Sequence, residues 1–428
     1  MKYPALLLFT LLAPLAFPAS AAEDSYAERV AVVTGTPGLV AFWDFVQREP
    51  AGAHRFVAHV PAGSTNAYPL DVANYVKDFW GLGREAAYAD FPLLGRGPFG
   101  EAIQLRAEAD ETFRPYFYVP RSRLHDTPLD LKGPGRSLTV VVWAIRESGN
   151  HALAGIWHEG TDLKQGTTQG IQRVERGQRQ YALFAGLNVT GAATGHVSEN
   201  GASSFAFRYA LHKSNSGDVS PAVPADAPAG VLDQSWETFA MTFDHQRDEL
   251  AGWLRGRAAP RWLEDVKKTL APVHNAWLQG ELRRRPGTQP GEDADFPADQ
   301  FYNPPEGAPV AVETIEESPA HRVEVREYGY TRVKVTLRQG AEGMLAEESR
   351  DLVAVRLNPW WYPHDLYAPP DALSGGPFTI GRVIHSARAN GFSGWIGGVA
   401  VFDRALSAAE IARLTALGEA GPIVRPAP

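Results

Sequence analysis

Hydrophobic and polar positions alternate in short runs along most of this chain. The clearest run spans residues 136–145, where Ser137, Thr139, Val141 and Trp143 alternate with Leu138, Val140, Val142 and Ala144. Both faces turn apolar toward its end, which predicts a strand buried on both sides. Residues 39–45 form a second apolar run around Phe42 and Trp43. Shorter runs predict strands over 101–105, 113–120, 152–157, 180–187, 204–209 and 236–244. Residues 24–33 predict a short helix, broken by Thr36-Pro37-Gly38. Residues 71–80 have helical spacing, with Val72, Tyr75, Val76 and Phe79 on one face. The Pro-, Ala- and Ser-rich stretch 216–229 reads as a loop. Many short strands separated by turn signals predict an all-β sandwich.

The pattern changes after Trp253. Residues 261–282 are amphipathic, with Leu263, Val266, Leu270, Val273 and Trp277 three or four apart and Pro272 as a kink. Residues 283–307 form a Pro/Gly/Asp linker. Residues 321–337 predict a hairpin, with Val323 and Val325 facing Val333 and Val335 across Tyr328-Gly329-Tyr330. Another strand is predicted over 350–357. Short strands return at 378–383 and 394–402. Ser407 and Glu410 form a capping box that opens a last helix over 408–417, and Gly418 is placed to end it.

The N-terminus adds an address. Lys2, an apolar run over 5–17 and Ala19-Ser20-Ala21 have the order of a secretory signal peptide over residues 1–21. This predicts a secreted, periplasmic or extracellular protein with no membrane insertion. The 428 residues include no Cys, so disulfides, thiolate metal sites and a lipidated Cys are excluded. Stability must therefore come from burial, and 11 Trp, 20 Phe and 14 Tyr supply material for it. The 41 Lys and Arg against 49 Asp and Glu are interspersed. That mildly acidic balance argues against nucleic acid as a partner.

Several segments resemble one family. The stretch from Gly391-Phe392-Ser393-Gly394-Trp395-Ile396 through Asp403-Arg404-Ala405-Leu406 to Ser407-Ala408-Ala409-Glu410-Ile411 resembles the closing segment of laminin-G-like jelly rolls. Phe378-Thr379-Ile380-Gly381-Arg382 is similar to the strand before it. Trp236-Glu237-Thr238-Phe239-Ala240-Met241-Thr242-Phe243-Asp244 is similar to the family's central strand. Phe42-Trp43-Asp44-Phe45 and the Ser137–Trp143 alternation resemble earlier strands. The resemblance implies a concanavalin A-like/laminin-G-like jelly-roll β-sandwich, a fold mostly of glycan- or protein-binding modules, some calcium-dependent. The same fold also hosts glycosidases and lyases. The chain departs from the pattern over 256–372. The expected organisation is a sandwich from 22–255 and 373–418, a mixed helical and hairpin insertion at 256–372, and a tail at 419–428.

Candidate binding chemistry gathers on two loops. One follows the 152–157 strand and holds Trp157, His158, Glu159 and Asp162. The other holds His196, Glu199 and Asn200, with Tyr181, Arg208 and Tyr209 on neighbouring strands. Rings beside hydrogen-bonding groups suit a sugar site, although turn residues satisfied locally would give the same composition. Alternation predicts that Trp157 and His158 point to opposite faces, with the loops partly exposed at one end of the sandwich. The aromatic run 358–367 could form a platform or a cover. No E-x-D-x-x-E, G-x-S-x-G or H-E-x-x-H motif appears, so no catalytic residue is assigned. Asp44, Asp162 and Asp244 are the candidates if calcium is used, but no loop motif demands it. These features predict a secreted carbohydrate- or surface-binding protein without catalysis and without a required cofactor, with a glycan or cell-surface component as partner. The alternatives are a polysaccharide-degrading lyase or hydrolase on the same loops, or a structural protein of the cell envelope.

Overall fold

The computed structural model describes residues 19–50, 55–106, 110–149, 151–158, 178–187, 189–199, 201, 211–247, 249–260, 262–263, 287, 308–328, 331–341, 343–356, 365–371, 374–384 and 391–425. Two seven-stranded antiparallel sheets form a β-sandwich. The first contains β1 (Leu39–Trp43), β4 (Ile103–Leu105), β6 (Leu138–Ser148), β11 (Glu237–Asp244), β12 (Glu249–Leu254), β13 (Arg257–Ala258) and β20 (Ser393–Phe402). Its order is β1-β20-β6-β11-β12-β13, with β4 also paired to β20. The second contains β2 (Asp71–Asn74), β5 (Pro115–Val119), β7 (Ala152–His158), β8 (Gln178–Phe184), β9 (Thr194–Ser198), β10 (Leu211–Asn215) and β19 (Phe378–Ile380). Its order is β10-β9-β8-β7-β19-β5-β2. A small ribbon pairs β3 (Arg96–Gly97) with β21 (Ile423–Val424). The helices are α1 (Ala19–Thr34), α2 (Tyr75–Trp80), α3 (Arg121–Leu124), α4 (Ala229–Asp233) and α5 (Ala408–Glu419).

The core lies between the two large sheets. Val140, Val142, Phe239 and Met241 meet Phe117, Ile156, Tyr181 and Leu183 there. Trp43 of the first sheet stacks on Phe378 of the second at 5.2 Å. Each such side chain contributes about 1.5–3 kcal/mol by leaving water. The other face of the first sheet presents Phe42, Val141, Trp143 and Phe402, and it is covered by Val33 of α1 and Ile411, Leu414 and Leu417 of α5. Trp143 Nε1 donates to the Leu414 carbonyl at 3.0 Å, fixing α5 on the sheet. The predicted capping box is formed: Ser407 Oγ accepts from the Glu410 amide, and the Glu410 carboxylate accepts from the Ser407 amide.

Three details differ from the sequence reading. Residues 71–80 are a strand followed by a helix, because Asn74 is extended and its Oδ1 accepts from the Val76 amide as an N-cap. Gly418 lies inside α5, which runs to Glu419. A Cβ there would sit 3.2 Å from Trp143 Cδ1, so this glycine permits close helix–sheet approach. In the hairpin of β16 (His321–Glu327) and β17 (Thr331–Gln339), Val325 is opposite Lys334 and Val335 is opposite Glu324. The two valine pairs therefore do not face one another.

The stretch 256–372 contains a sheet of its own: β14 (Trp262–Leu263), β18 (Leu345–Arg356), β17, β16 and β15 (Ala311–Ser318), in that order. Trp262 and Leu263 are strand residues, against the predicted helix. The remainder of 264–282, nearly all of the 283–307 linker and the predicted 204–209 strand lie outside the described residues. Within the same stretch, Leu366 is buried in the sandwich core.

Candidate functional site

The outer face of the second sheet gathers the polar chemistry. Residues directly opposite one another in an antiparallel ladder share a face. The register sets His196 opposite Ala182, Ala182 opposite Gly155, Gly155 opposite Thr379, Thr379 opposite Tyr118 and Tyr118 opposite Asp71. The middle of this row is small by necessity. A Cβ on Gly155 would fall 2.4 Å from the Tyr181 carbonyl oxygen and 2.6 Å from Ala182 Cα.

A ring cluster stands at each end of the row. At one end the Trp157 ring lies 5.3 Å from His196, and Phe184 lies 5.2 Å from His196. The Arg179 guanidinium sits 5.7 Å from the Trp157 ring centre, within cation–π range. A bulge between Ile156 and Trp157 sets Trp157 opposite Arg179. At the other end Tyr116 and Tyr118 lie 5.6 Å apart. Arg382 stacks over Tyr75 at 4.5 Å, and burial pushes its guanidinium down to about 10.

The β2 edge is open. Tyr118 and Asp71 are half-buried there. Asp71 Oδ1 accepts from Arg55 Nη1 at 3.1 Å, and Oδ2 accepts from Arg123 Nη2. Arg55 is itself held by Glu49 at 2.7 Å. Burial, then the charges of Asp71 and Asp78, raise the Tyr118 phenol, so it stays a neutral donor.

Among the residues singled out from sequence, Trp157 and His196 are brought together, while the His158 ring meets Phe79 at 5.8 Å. Glu199 is exposed, whereas Trp157, His158 and His196 are buried, against the expectation of a partly open rim. The physical reason is ring packing: Trp157, Phe184 and His196 lie against one another, and His158 lies against Phe79. Glu159, Asp162, Asn200, Arg208 and Tyr209 lie outside the described residues. Tyr181 belongs to the core, with its hydroxyl donating to the Leu129 carbonyl at 3.3 Å. Of the 358–367 run, Asp365, Leu366 and Tyr367 are described, and the Tyr367 amide donates to the Ser198 carbonyl at 2.8 Å.

Tyr118, Asp71, Arg55 and Arg123 were not singled out. The alternation of Tyr116 and Tyr118 within 113–120 already placed both rings on one face. The pairing of Asp71 with Arg55 and Arg123 is non-local and left no sequence signal.

Of the calcium candidates, Asp44 and Asp244 are engaged otherwise, and Asp162 lies outside the described residues. Asp44 is fully buried, and its carboxylate accepts from Tyr26 Oη at 2.6 Å, from the Val46 amide at 2.8 Å and from the Gln47 amide at 2.9 Å, with His59 Nε2 at 2.7 Å. Burial pushes this carboxyl up, but these hydrogen bonds, His59 first, leave it below the usual range. Asp244 closes a turn by accepting from the amides of Gln246 and Arg247. Among the described residues no group of three or more His, Asp and Glu is placed to hold a metal ion.

No protein-family description matches this sequence, and no curated protein matches it. Among solved structures, the chain is similar to the botulinum neurotoxin serotype D binding domain, with a TM-score of 0.35 and 7% identity over 91% of this chain. It is also similar to a mutant of Trypanosoma rangeli sialidase displaying trans-sialidase activity, with a TM-score of 0.34 and 10% identity over 95% of this chain. The chain spans 52% of the neurotoxin structure and 39% of the sialidase structure.

Proposed function

We propose that this chain is an exported, laminin-G-like jelly-roll protein that binds carbohydrate or a glycan-bearing surface and performs no catalysis on it. The observation behind this reading is the half-buried Tyr118 ring beside an Asp71 carboxylate held between Arg55 and Arg123. A phenol ring presents an apolar face to the C–H side of a sugar and a hydroxyl at its rim. The carboxylate accepts from sugar hydroxyls, and the guanidinium groups donate to them. Both arginines fix the carboxylate before any ligand arrives, which lowers the ordering cost of binding. The small row of Ala182, Gly155 and Thr379 forms the floor behind it, and Trp157 and His196 brace its far end. Exposed Glu199 and the loop residues Glu159, Asp162, Asn200 and Arg208 are proposed as further contacts on that side.

The closing strand β20 and the capped helix α5 support the family reading, since they follow the motif that carries the resemblance. The signal-like N-terminus supports export. The sheet β14–β18 supports an inserted lobe over 256–372. A glycan array probed with the protein lacking residues 1–21 tests the reading. Tyr118→Ala and Asp71→Asn should each abolish retained glycan signals while the melting temperature stays constant. Release of reducing ends or unsaturated products from a bound polysaccharide would overturn the non-catalytic reading.

A further inference from the structure

A cavity of about 390 Å³ lies between the start of β11 and the C-terminal end of α5. Its volume is within the range of small-ligand sites, roughly 300–1,000 Å³. Trp236, Glu237, Thr238, Arg255, Gly418 and Glu419 are among its lining residues. Trp236 and Thr238 are only 6% and 2% exposed. Trp236 Nε1 and Thr238 Oγ1 are buried and have no hydrogen-bond partner among the described residues. Native proteins leave few such atoms, because each loses its water without recompense. Trp236 and Thr238 line the cavity with one unpaired atom each, whereas the Glu237 side chain leaves β11 on the opposite face from Thr238, toward Ser220 and Arg146.

The local backbone favours this opening. Leu254 pairs with Arg257, so Arg255 and Gly256 form a two-residue turn, and both have positive φ, 51° and 73°. Asn or Gly is preferred at the first of these positions. An arginine there puts a guanidinium beside the cavity, with Nε 3.3 Å from Glu237 Oε1. Gly418 keeps the helix side clear, since a Cβ there would lie 3.3 Å from Thr238 Oγ1.

We infer that this cavity is a binding site for one small neutral polyol, such as a single sugar ring. The buried indole N–H only donates and needs an acceptor. Thr238 takes either role. Adjacent hydroxyl groups supply acceptor and donor on neighbouring atoms. An anion is disfavoured by Glu237, Glu419 and the negative end of the α5 dipole. A cation is disfavoured by the Trp236 and Arg255 donors. Burial raises the Glu237 carboxyl against a hydrogen bond from Ser220 and the pull of Arg255 and Arg146. The inference does not depend on the outer-face site of the second sheet.

The test follows the Trp236 indole N–H by two-dimensional NMR of the labelled protein, with the peak assigned by its loss in Trp236→Phe. Titrants are D-glucose, D-galactose, myo-inositol and maltohexaose, with acetate and putrescine as charged controls. A saturable shift with at least one neutral titrant is expected, weakened about tenfold or more in Thr238→Val and Gly418→Ala. Thr238→Ala provides a third variant if either of those fails to fold. A shift with monosaccharides alone means a free sugar is the guest, and a shift with maltohexaose as well means a terminal residue; both support the inference. Tyr118→Ala should leave the shift intact, so failure of the outer-face reading would be seen separately. No shift with any titrant, or a shift with only acetate or putrescine, would overturn it.

Discussion

The outer face of the first sheet meets two helices, and the outer face of the second holds rings, imidazoles and guanidinium groups. On the first, Phe42, Val141, Ala240 and Phe402 are covered by leucines, a valine and an isoleucine, and Trp143 supplies a polar tether. On the second, Arg179, His196, Thr379 and Arg382 are each no more than 4% exposed. Burying such groups costs free energy unless each is paired, whereas apolar cover needs no such arrangement. A face that only has to be covered is built as the first one is. The second is built differently, and Tyr118 and Asp71 lie half-buried at its β2 edge.

The largest effects should come from the rings that anchor each face. Trp143→Ala removes a fully buried ring and the tether to Leu414, and should cost about 3–5 kcal/mol in urea unfolding. Trp157→Ala should cost about 3 kcal/mol, because Trp157 is 3% exposed. An unchanged unfolding midpoint for Trp157→Ala would mean that its ring serves a ligand and not the fold, and would sharpen the contrast between the faces. Next in size is Thr139→Val. Thr139 Oγ1 donates to the Arg404 carbonyl at 2.8 Å and accepts from the Leu406 amide at 2.9 Å, joining β6 to the turn before α5. Loss of both should cost about 1–3 kcal/mol. Ser407→Ala removes the α5 cap and should cost about 1 kcal/mol, read as a lower melting temperature.

The smallest effect concerns acid. The hydrogen bond from Arg404, with further ones from Ser407, holds the Glu410 carboxyl down at about 2. Its unfolded value is about 4.3. The folded value is the lower one, so this contribution is complete above pH 4.3 and is lost as pH falls toward 2. Burial pushes the His151 imidazole down to about 4, with Arg146 adding to it. That depression also removes stability as pH falls, but between about 6.5 and 4. Arg404→Leu should flatten the lower window in a pH series of melting temperatures and leave the upper one in place.

Local signals made much of the sandwich legible. The alternation around Trp143, the apolar run at Phe42 and Trp43, the closing 394–402 strand and the Ser407–Glu410 box each depend on neighbours in sequence, and each was found. The strand order was not legible. β19 pairs with β7 and β5, more than two hundred residues upstream, and no local pattern specifies that. Asn74 ends the helical pattern expected over 71–80 for a related reason: its side chain caps α2 while donating to the carbonyls of Arg84 and Thr112, the latter far along the chain. At the candidate site, the burial of Trp157, His158 and His196 was not legible, because it depends on rings from other elements. The cavity beside Trp236 was invisible in sequence. It exists only because Gly418 lets α5 approach β11 closely while leaving the space over Thr238 unfilled.

We propose that the open edge of the second sheet's outer face binds carbohydrate. Calorimetric titration of the protein lacking residues 1–21 with the strongest glycan from an array, repeated on Tyr118→Ala, tests it most directly. Saturable binding that falls about tenfold or more in Tyr118→Ala, at an unchanged melting temperature, is the predicted result. Equal affinity in both proteins would show that Tyr118 and this edge are not the binding site.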